Sequence, residues 1–533
     1  MSVDRRLVAG VDSSTQSCKV VIVDPSTGGI LRSGSAPHPA GTEVDPEAWW
    51  SALQQAVSEA GGFADVAAVS ISGQQHGLIA LDRHGQVIRD ALLWNDLRSD
   101  GAARALIAEI GADEFVDRAG VVPVASFTGA KLRWLRDHEP DNASRVAAVA
   151  LPHDWLTWRL LGHGPSSSSA LRGPDLEALV TDASDASGTA YFSAVTGRYD
   201  LDLFRAAFGA PAREATGSTT TGSTTTGSTT DGSPATDELG PTTAPIVLPR
   251  VLAPHESAGH TPEGILVGPG AGDNAAAALG LGAAAGDVII SIGTSGTVFS
   301  PTRLEINDSS GMVAGFASAD GGRLPLVATL NAARVLDSAA ALLRASHTDV
   351  AALALASSPG ANGLTLVPYF EGERTPNLPS ATARLEGMTL ANSTPENVAR
   401  AFVEGMLCGL ADGLDAVLRQ GVKVQRLFLI GGAARNPAVR EVARDIFTVP
   451  IDVPEQAEYV AIGAARQAAW TLTGTSPRWQ VELVATLHPR PSQVRQQYHS
   501  YTNTNVIDAT RPAHENSDND HRRSSGAQAP VEG

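Results

Sequence analysis

Between residues 268 and 300 the chain reads Gly-Pro-Gly-Ala-Gly-Asp-Asn, then an alanine-rich run, then Asp-Val-Ile-Ile-Ser-Ile-Gly-Thr-Ser-Gly-Thr-Val-Phe-Ser. This pattern predicts a glycine-rich turn that delivers Asp273 to the start of a small-sided helix over about 274–285. A strand over 288–292 then turns through Gly293-Thr294-Ser295-Gly296 into a second strand. Such a turn offers backbone N–H groups and hydroxyls to an anion, and its glycines let a phosphate approach the main chain. A carboxylate so close to a phosphate-type hairpin points to phosphoryl transfer.

The same unit occurs once more. Residues 7–11 read as a buried strand, Asp12-Ser13-Ser14-Thr15-Gln16-Ser17 as a polar turn, and residues 18–24 as the return strand. Alone, Asp12 would be a turn residue bonding its own backbone. Two such hairpins, one early in each half, instead predict a duplicated α/β domain with both turns facing one nucleotide. The 533 residues suffice for two domains. The boundaries read as 1–261, with a low-complexity insertion at 213–243, then 262–500, then a disordered tail at 501–533. Within the insertion, residues 216–233 repeat Thr-Gly-Ser-Thr-Thr and cannot bury a core. Residues 165–179, Ser-rich at their start, read as a second surface insertion.

The formal net charge of −18 argues against a nucleic-acid or anionic-membrane partner, and no apolar run is long enough to span a bilayer. Cys18 and Cys408 are the only cysteines, and the N-terminus has no signal-type apolar region, so the expected compartment is the cytoplasm.

Other clusters fall at predicted element ends. The strand over 66–72 ends in Gly73-Gln74-Gln75-His76-Gly77, the kind of place where α/β folds put ligands. Trp94-Asn95-Asp96-Leu97-Arg98 groups an indole, an amide, a carboxylate and a guanidinium, the types that bind a polyol; read otherwise, Asn95 or Asp96 caps a helix. In the helix that begins at Phe127-Thr128, Lys131 reads as a solvated helix lysine, and Asp154 as the N-cap-like entry to another helix. Residues 181–189 are a polar loop of small residues, 370–376 a further loop, and 396–419 a long amphipathic helix. A buried strand over 426–430 runs into Gly431-Gly432-Ala433-Ala434-Arg435-Asn436, a turn against which a flat ring can lie.

Taken in order, these motifs resemble the FGGY carbohydrate kinases, most closely the branch that phosphorylates D-xylulose, over about residues 7–470 apart from the insertions. The resemblance implies two actin-like (ribonuclease-H-like) ATPase domains with the active site in the cleft between them, and Mg2+ and ATP as metal and phosphoryl donor. It implies Asp273 as the base on the sugar hydroxyl and Asp12 as a catalytic residue beside the metal. Gln75, His76, Trp94, Asn95, Asp96, Asp273 and Asn274 would contact the sugar. Ser13, Ser14, Thr15, Lys19, Gly293, Thr294 and Ser295 would meet the phosphates, and Gly431, Gly432, Ala433 and Asn436 the adenosine. A homodimer is an assembly it allows. Two departures stand out. Gln75 occupies a position where many relatives of that branch have Met, and Glu458-Tyr459-Val460 replaces smaller residues. The rival readings are a gluconate, ribulose or glycerol kinase of the same family, against the last of which Trp94-Asn95-Asp96 counts, and a non-catalytic actin-like ATP switch, which would not keep both aspartates.

Overall fold

A computed structural model describes residues 6–217 and 244–509. The first half is built on a seven-stranded sheet. Apolar, β-branched runs form β1 (Leu7–Ser13) and β2 (Ser17–Val23), an antiparallel hairpin with Asp12 opposite Lys19. The meander continues antiparallel into β3 (Ile30–Pro37), and β4 (Val66–Gly73) lies parallel to β1 on its other side. Helix α1 (Pro46–Glu59), capped by Asp45 on Glu47 N, buries Trp49, Leu53 and Ala56 on one face, each large side chain worth about 1.5–3 kcal/mol of burial. Helices α2 (Thr128–His138), α3 (Pro152–Leu160) and the single turn α4 (Ala183–Ala186) complete the parts of this half that face the site.

Three short strands extend the first sheet after the insertion: β5 (Gly259–His260), β6 (Leu266–Val267) and β7 (Ala271–Gly272). Strands β6 and β7 both pair parallel to β4, so the chain returns to the first sheet through residue 272, beyond the 261/262 division that the sequence suggests. Helix α5 (Asp273–Leu281) follows at once and ends at Gly282, a left-handed residue at φ 63°, rather than running to 285. Glycine supplies this C-cap without strain, which the alanine-rich composition downstream concealed.

The second half repeats the plan on another seven-stranded sheet. Strands β8 (Asp287–Ile292) and β9 (Gly296–Phe299) form the second hairpin. Strands β10 (Ala314–Ala317) and β11 (Arg323–Thr329) extend it antiparallel. Helix α6 (Pro395–Arg419) packs on this sheet, β12 (Arg426–Ile430) lies parallel to β8, and helix α7 (Pro437–Ile446) leads to β13 (Ile451–Pro454). An antiparallel meander beside a parallel strand thus occurs in each half, as expected of a duplicated two-domain α/β fold.

Helix α8 (Tyr459–Thr473) joins the halves by packing on α5, β1 and β4. The approach needs residues without side chains: a Cβ on Gly10 would sit 1.9 Å from Ala461 O, and one on Gly463 would sit 1.9 Å from Ala276 O. After β14 (Leu483–Leu487), helix α9 (Val494–Ala509) is tied down by the buried Tyr498. It therefore runs through 501–509, where a tail is expected; the rest of that tail lies outside the described residues. So does 218–243 of the insertion, while Arg213 and Glu214 sit in a strand over Ala212–Glu214.

Candidate active site

Three elements carry the candidate chemistry to one place. The β1–β2 turn presents Asp12, Ser13, Ser14 and Thr15; the start of α5 presents Asp273 and Asn274; the β8–β9 turn presents Gly293, Thr294 and Ser295. Thr297 Oγ1 on β9 donates to Asn274 Oδ1 at 3.3 Å, which ties the second hairpin to α5. Pairing of β7 with Ser72 and Gly73 at the end of β4 sets Asp273 beside the Gln74–His76 turn. Gln74 N donates to Ser13 O at 3.1 Å, which joins that turn to the first hairpin.

Asp273 opens α5 with Gly272 as its N-cap. Asn274 N and Nδ2 both donate to Asp273 Oδ1, at 2.7 and 2.8 Å, and among the described residues no donor reaches Oδ2. Burial, and then the charge of Asp12, lift this carboxyl to about 7. Asp12 is buried with Ser14 Oγ as its hydrogen-bond donor, and burial raises it to about 6 against the opposing pull of Ser14 and Lys19. Two neighbouring carboxylates, each lifted by burial and one also by the other's charge, are suited to a cation or to taking up a proton.

Lys19 is only partly available to an anion, because its Nζ lies 2.6 Å from Glu458 Oε2 at the start of α8. Glu458, one of the residues that departs from the family pattern, thus anchors the second half to the first hairpin.

On the sugar-motif side, His76 has a left-handed backbone at φ 71°. Thr128 Oγ1 and Lys131 Nζ donate to its carbonyl at 3.3 and 2.9 Å, and its Nδ1 lies 2.8 Å from Gly188 O. A carbonyl only accepts, so Nδ1 carries the ring proton and Nε2 presents a lone pair. Burial, then the charge of Lys131, hold this imidazole neutral, well below its usual range. Gln75 Nε2 donates to Ser184 O at 3.0 Å. Trp94 Nε1 donates to Thr15 Oγ1 at 2.8 Å, and Asn95 Nδ2 to Gly41 O at 3.4 Å. Asp96 is buried and bonded to Thr42 and Arg98, which makes it a fixed support for this wall; the helix that follows begins at Asp100, so neither Asn95 nor Asp96 is its cap.

Gly431 has φ 92°, and a Cβ there would lie 2.6 Å from Ile292 O on β8, whereas Gly432 next to it has open space on its Cβ side. Ala433 is buried behind that opening. Asn436 caps α7, its Oδ1 accepting from Ala438 N and Val439 N.

Two expectations need correction. Lys131 is fully buried, not solvated: besides His76 O it donates to Ser126 O, and burial lowers it to about 7. Asp154 is the third residue of α3, and its carboxylate accepts from Leu151 N at 2.8 Å instead of standing at the N-cap. The loop over 370–376 supplies contacts that the sequence did not flag: Glu373 is buried on Leu330 N and Asn331 Nδ2, and Arg374 crosses to Ser126 Oγ at 2.9 Å. Its only cue in sequence was charge within a Gly/Pro-rich loop.

Fold and site together define a two-domain kinase. The N- and C-terminal domain models of the FGGY family of carbohydrate kinases match residues 7–247 and 288–472. The xylulose kinase of Streptomyces rubiginosus is 41% identical over 494 residues, 89% of this chain and 91% of that protein. That of Escherichia coli K12 is 31% identical over 481 residues, 86% and 89% of the two. The crystal structure of xylulose kinase from Bifidobacterium adolescentis superposes with a TM-score of 0.81 at 44% identity, covering 93% of this chain and 99% of that one. The chain belongs to the FGGY family of carbohydrate kinases.

Proposed function

We propose that this kinase transfers the γ-phosphoryl group of ATP to D-xylulose, yielding D-xylulose 5-phosphate and ADP. The observation that carries the reading is Asp273: a half-buried carboxylate with one free oxygen, set between two Gly/Ser/Thr hairpins and beside the Gln75–His76 turn. The likeness to xylulose kinases along most of the chain supports the choice of sugar.

In this reading the sugar lies against the first half, where His76 Nε2 accepts one hydroxyl and Gln75, its amide N–H held by Ser184 O, turns Oε1 to another. The nucleotide ring lies over Gly431-Gly432-Ala433, and the turns at Ser13–Thr15 and Gly293–Ser295 receive the phosphates. The acceptor hydroxyl oxygen bonds to the γ-phosphorus while its proton passes to Asp273, and the bond to the β–γ bridging oxygen breaks, leaving its electron pair on ADP. Burial and the nearby Asp12 give Asp273 a proton affinity near neutral pH, the range in which a general base works best. The residues fit Mg2+, because the charge of the buried Asp12 bears on the half-buried Asp273, a repulsion that a cation relieves; Asp12 would hold it. When bound, the metal supplies positive charge against the phosphate oxygens.

We place this activity in the cytoplasm, which the two buried, unpaired cysteines support. Among the described residues no helix is long and apolar enough to cross a membrane. The test is coupled ADP release over D-xylulose, D-ribulose, gluconate and glycerol. D-Xylulose should give the highest kcat/KM, and a higher value for gluconate or glycerol would overturn the reading.

A further inference from the structure

The turn that carries Asp273 rests on a second polar cluster that the phosphoryl-transfer reading does not use. A Cβ on Gly270 would come within 2.5 Å of His153 Nδ1, and Gly272 N donates to Ser184 Oγ at 3.0 Å. His153 stands in the first turn of α3 with Asp154 next to it; Asp182 and Asp185 bracket the start of α4. His153 Nε2 lies 3.3 Å from Asp154 Oδ1, 3.2 Å from Asp185 Oδ2 and 3.5 Å from Asp182 Oδ1, and none of these side chains is more than 5% exposed.

None of these contacts is a hydrogen bond: Nε2, Asp154 Oδ1 and both Asp185 oxygens have no hydrogen-bond partner. A charge-assisted N–H···O bond would close to about 2.7–2.9 Å, and one Nε2–H serves one acceptor. Donors held at about 2.0–2.1 Å by a tetrahedral ion lie about 3.3–3.4 Å from each other, close to the distances from His153 Nε2 to Asp154 and Asp185.

We propose that His153 Nε2, Asp154 Oδ1 and Asp185, both of whose oxygens are free, bind one structural zinc ion, while Asp182 caps α4 beside it. Mg2+ fits less well, because it demands octahedral coordination and keeps several waters, for which a fully buried cluster has no room. On binding, Asp185 releases its carboxyl proton and His153 the proton on Nε2, both to solvent, so that the ring keeps one proton on Nδ1 and the Nε2 lone pair faces the ion. The ion joins the start of α3 to the start of α4. Through Gly270 and Ser184 it supports the turn from which Asp273 projects, so the three ligands act as positioning residues.

The test is elemental analysis of the untagged full-length chain, grown with added zinc and purified in metal-free buffer. About one zinc per chain is expected, retained through brief EDTA dialysis and lost when the chain is unfolded with EDTA. Refolding from urea with Zn2+ should give a higher Tm than refolding in EDTA. Asp185→Asn, which keeps shape and removes charge, should carry less than about a tenth of an equivalent and melt lower. Folded, active wild-type chain with less than about a tenth of an equivalent of zinc, or the same Tm after refolding with and without Zn2+, would overturn the proposal. So would a zinc-free wild type whose Asp185→Asn variant melts at the same or a higher temperature, the behaviour of a proton-sharing cluster. The wild-type measurements decide the matter even if the variant does not fold.

Discussion

Replacing Asp273 by Asn should remove activity while making the protein more stable at neutral and alkaline pH. Loss of a general base costs about 10²–10⁴ in rate, or about 3–5 kcal/mol of transition-state stabilisation. The stability change has the opposite sign and follows from linkage. The folded carboxyl takes a proton at about 7, against 3.8 for the unfolded chain, so between those values the native state binds more protons than the unfolded state. Wild-type stability therefore falls as pH rises from 3.8 to 7, and the loss is complete above 7. The full shift corresponds to about 4 kcal/mol as an upper bound; solvent reaching a half-buried carboxylate brings the expected gain in Asp273→Asn at pH 8 to about 1–2 kcal/mol. The assay pairs coupled ADP release with thermal melting at pH 4 and pH 8. The same carboxyl should give the free enzyme a kcat/KM profile that rises through about pH 7, and Asp12→Asn, by removing the second cause of the shift, should move that inflection to lower pH. An Asp273→Asn variant within tenfold of wild-type turnover, or an inflection that stays fixed or moves up in Asp12→Asn, would refute the reasoning.

Other expectations follow from the pocket and the insertion. His76→Ala should reduce kcat/KM for D-xylulose by about 1–3 kcal/mol with the KM for ATP unchanged, since it removes one sugar acceptor and leaves Gly188 O without its donor; a change confined to ATP would contradict this. Lys131→Met strips a donor from the carbonyls of His76 and Ser126 and should cost sugar kcat/KM a similar amount. Lys131 titrates at about 7 when folded and 10.5 when unfolded, so wild type should gain stability as pH climbs from 7 towards 10.5, a rise that chemical denaturation should find missing in the Met variant. Replacing residues 218–243 by a Gly/Ser linker of about eight residues, while keeping Thr216 as a partner of Glu177, should leave kcat and Tm almost unchanged, because loop length costs little entropy.

The framework was legible wherever local pattern and tertiary role coincide. Alternating and β-branched runs placed β1, β2, β8 and β12 within a residue or two, because a buried strand must be apolar whatever it packs against. Asp273 was legible because a glycine-rich turn before a helix leaves a carboxylate little choice of position. Lys131 was not. A lysine in a helix start reads as solvated, and only Ser126 O and His76 O, the latter reached through a turn over fifty residues earlier in the chain, make an interior site for a cation. The His153 cluster failed to show for a related reason. Asp154, Asp182 and Asp185 each read locally as cap or turn residues, and Asp154 and Asp182 do serve nearby backbone amides. A single carboxylate can satisfy a helix start and still turn its remaining oxygen elsewhere, so the local reading is right about one oxygen and silent about the other. It is the second oxygen on Asp273 and Asp154, and both oxygens on Asp185, that are left free for chemistry, and only long-range contacts, here β7 on β4 and His153 against Asp185, determine what those oxygens face.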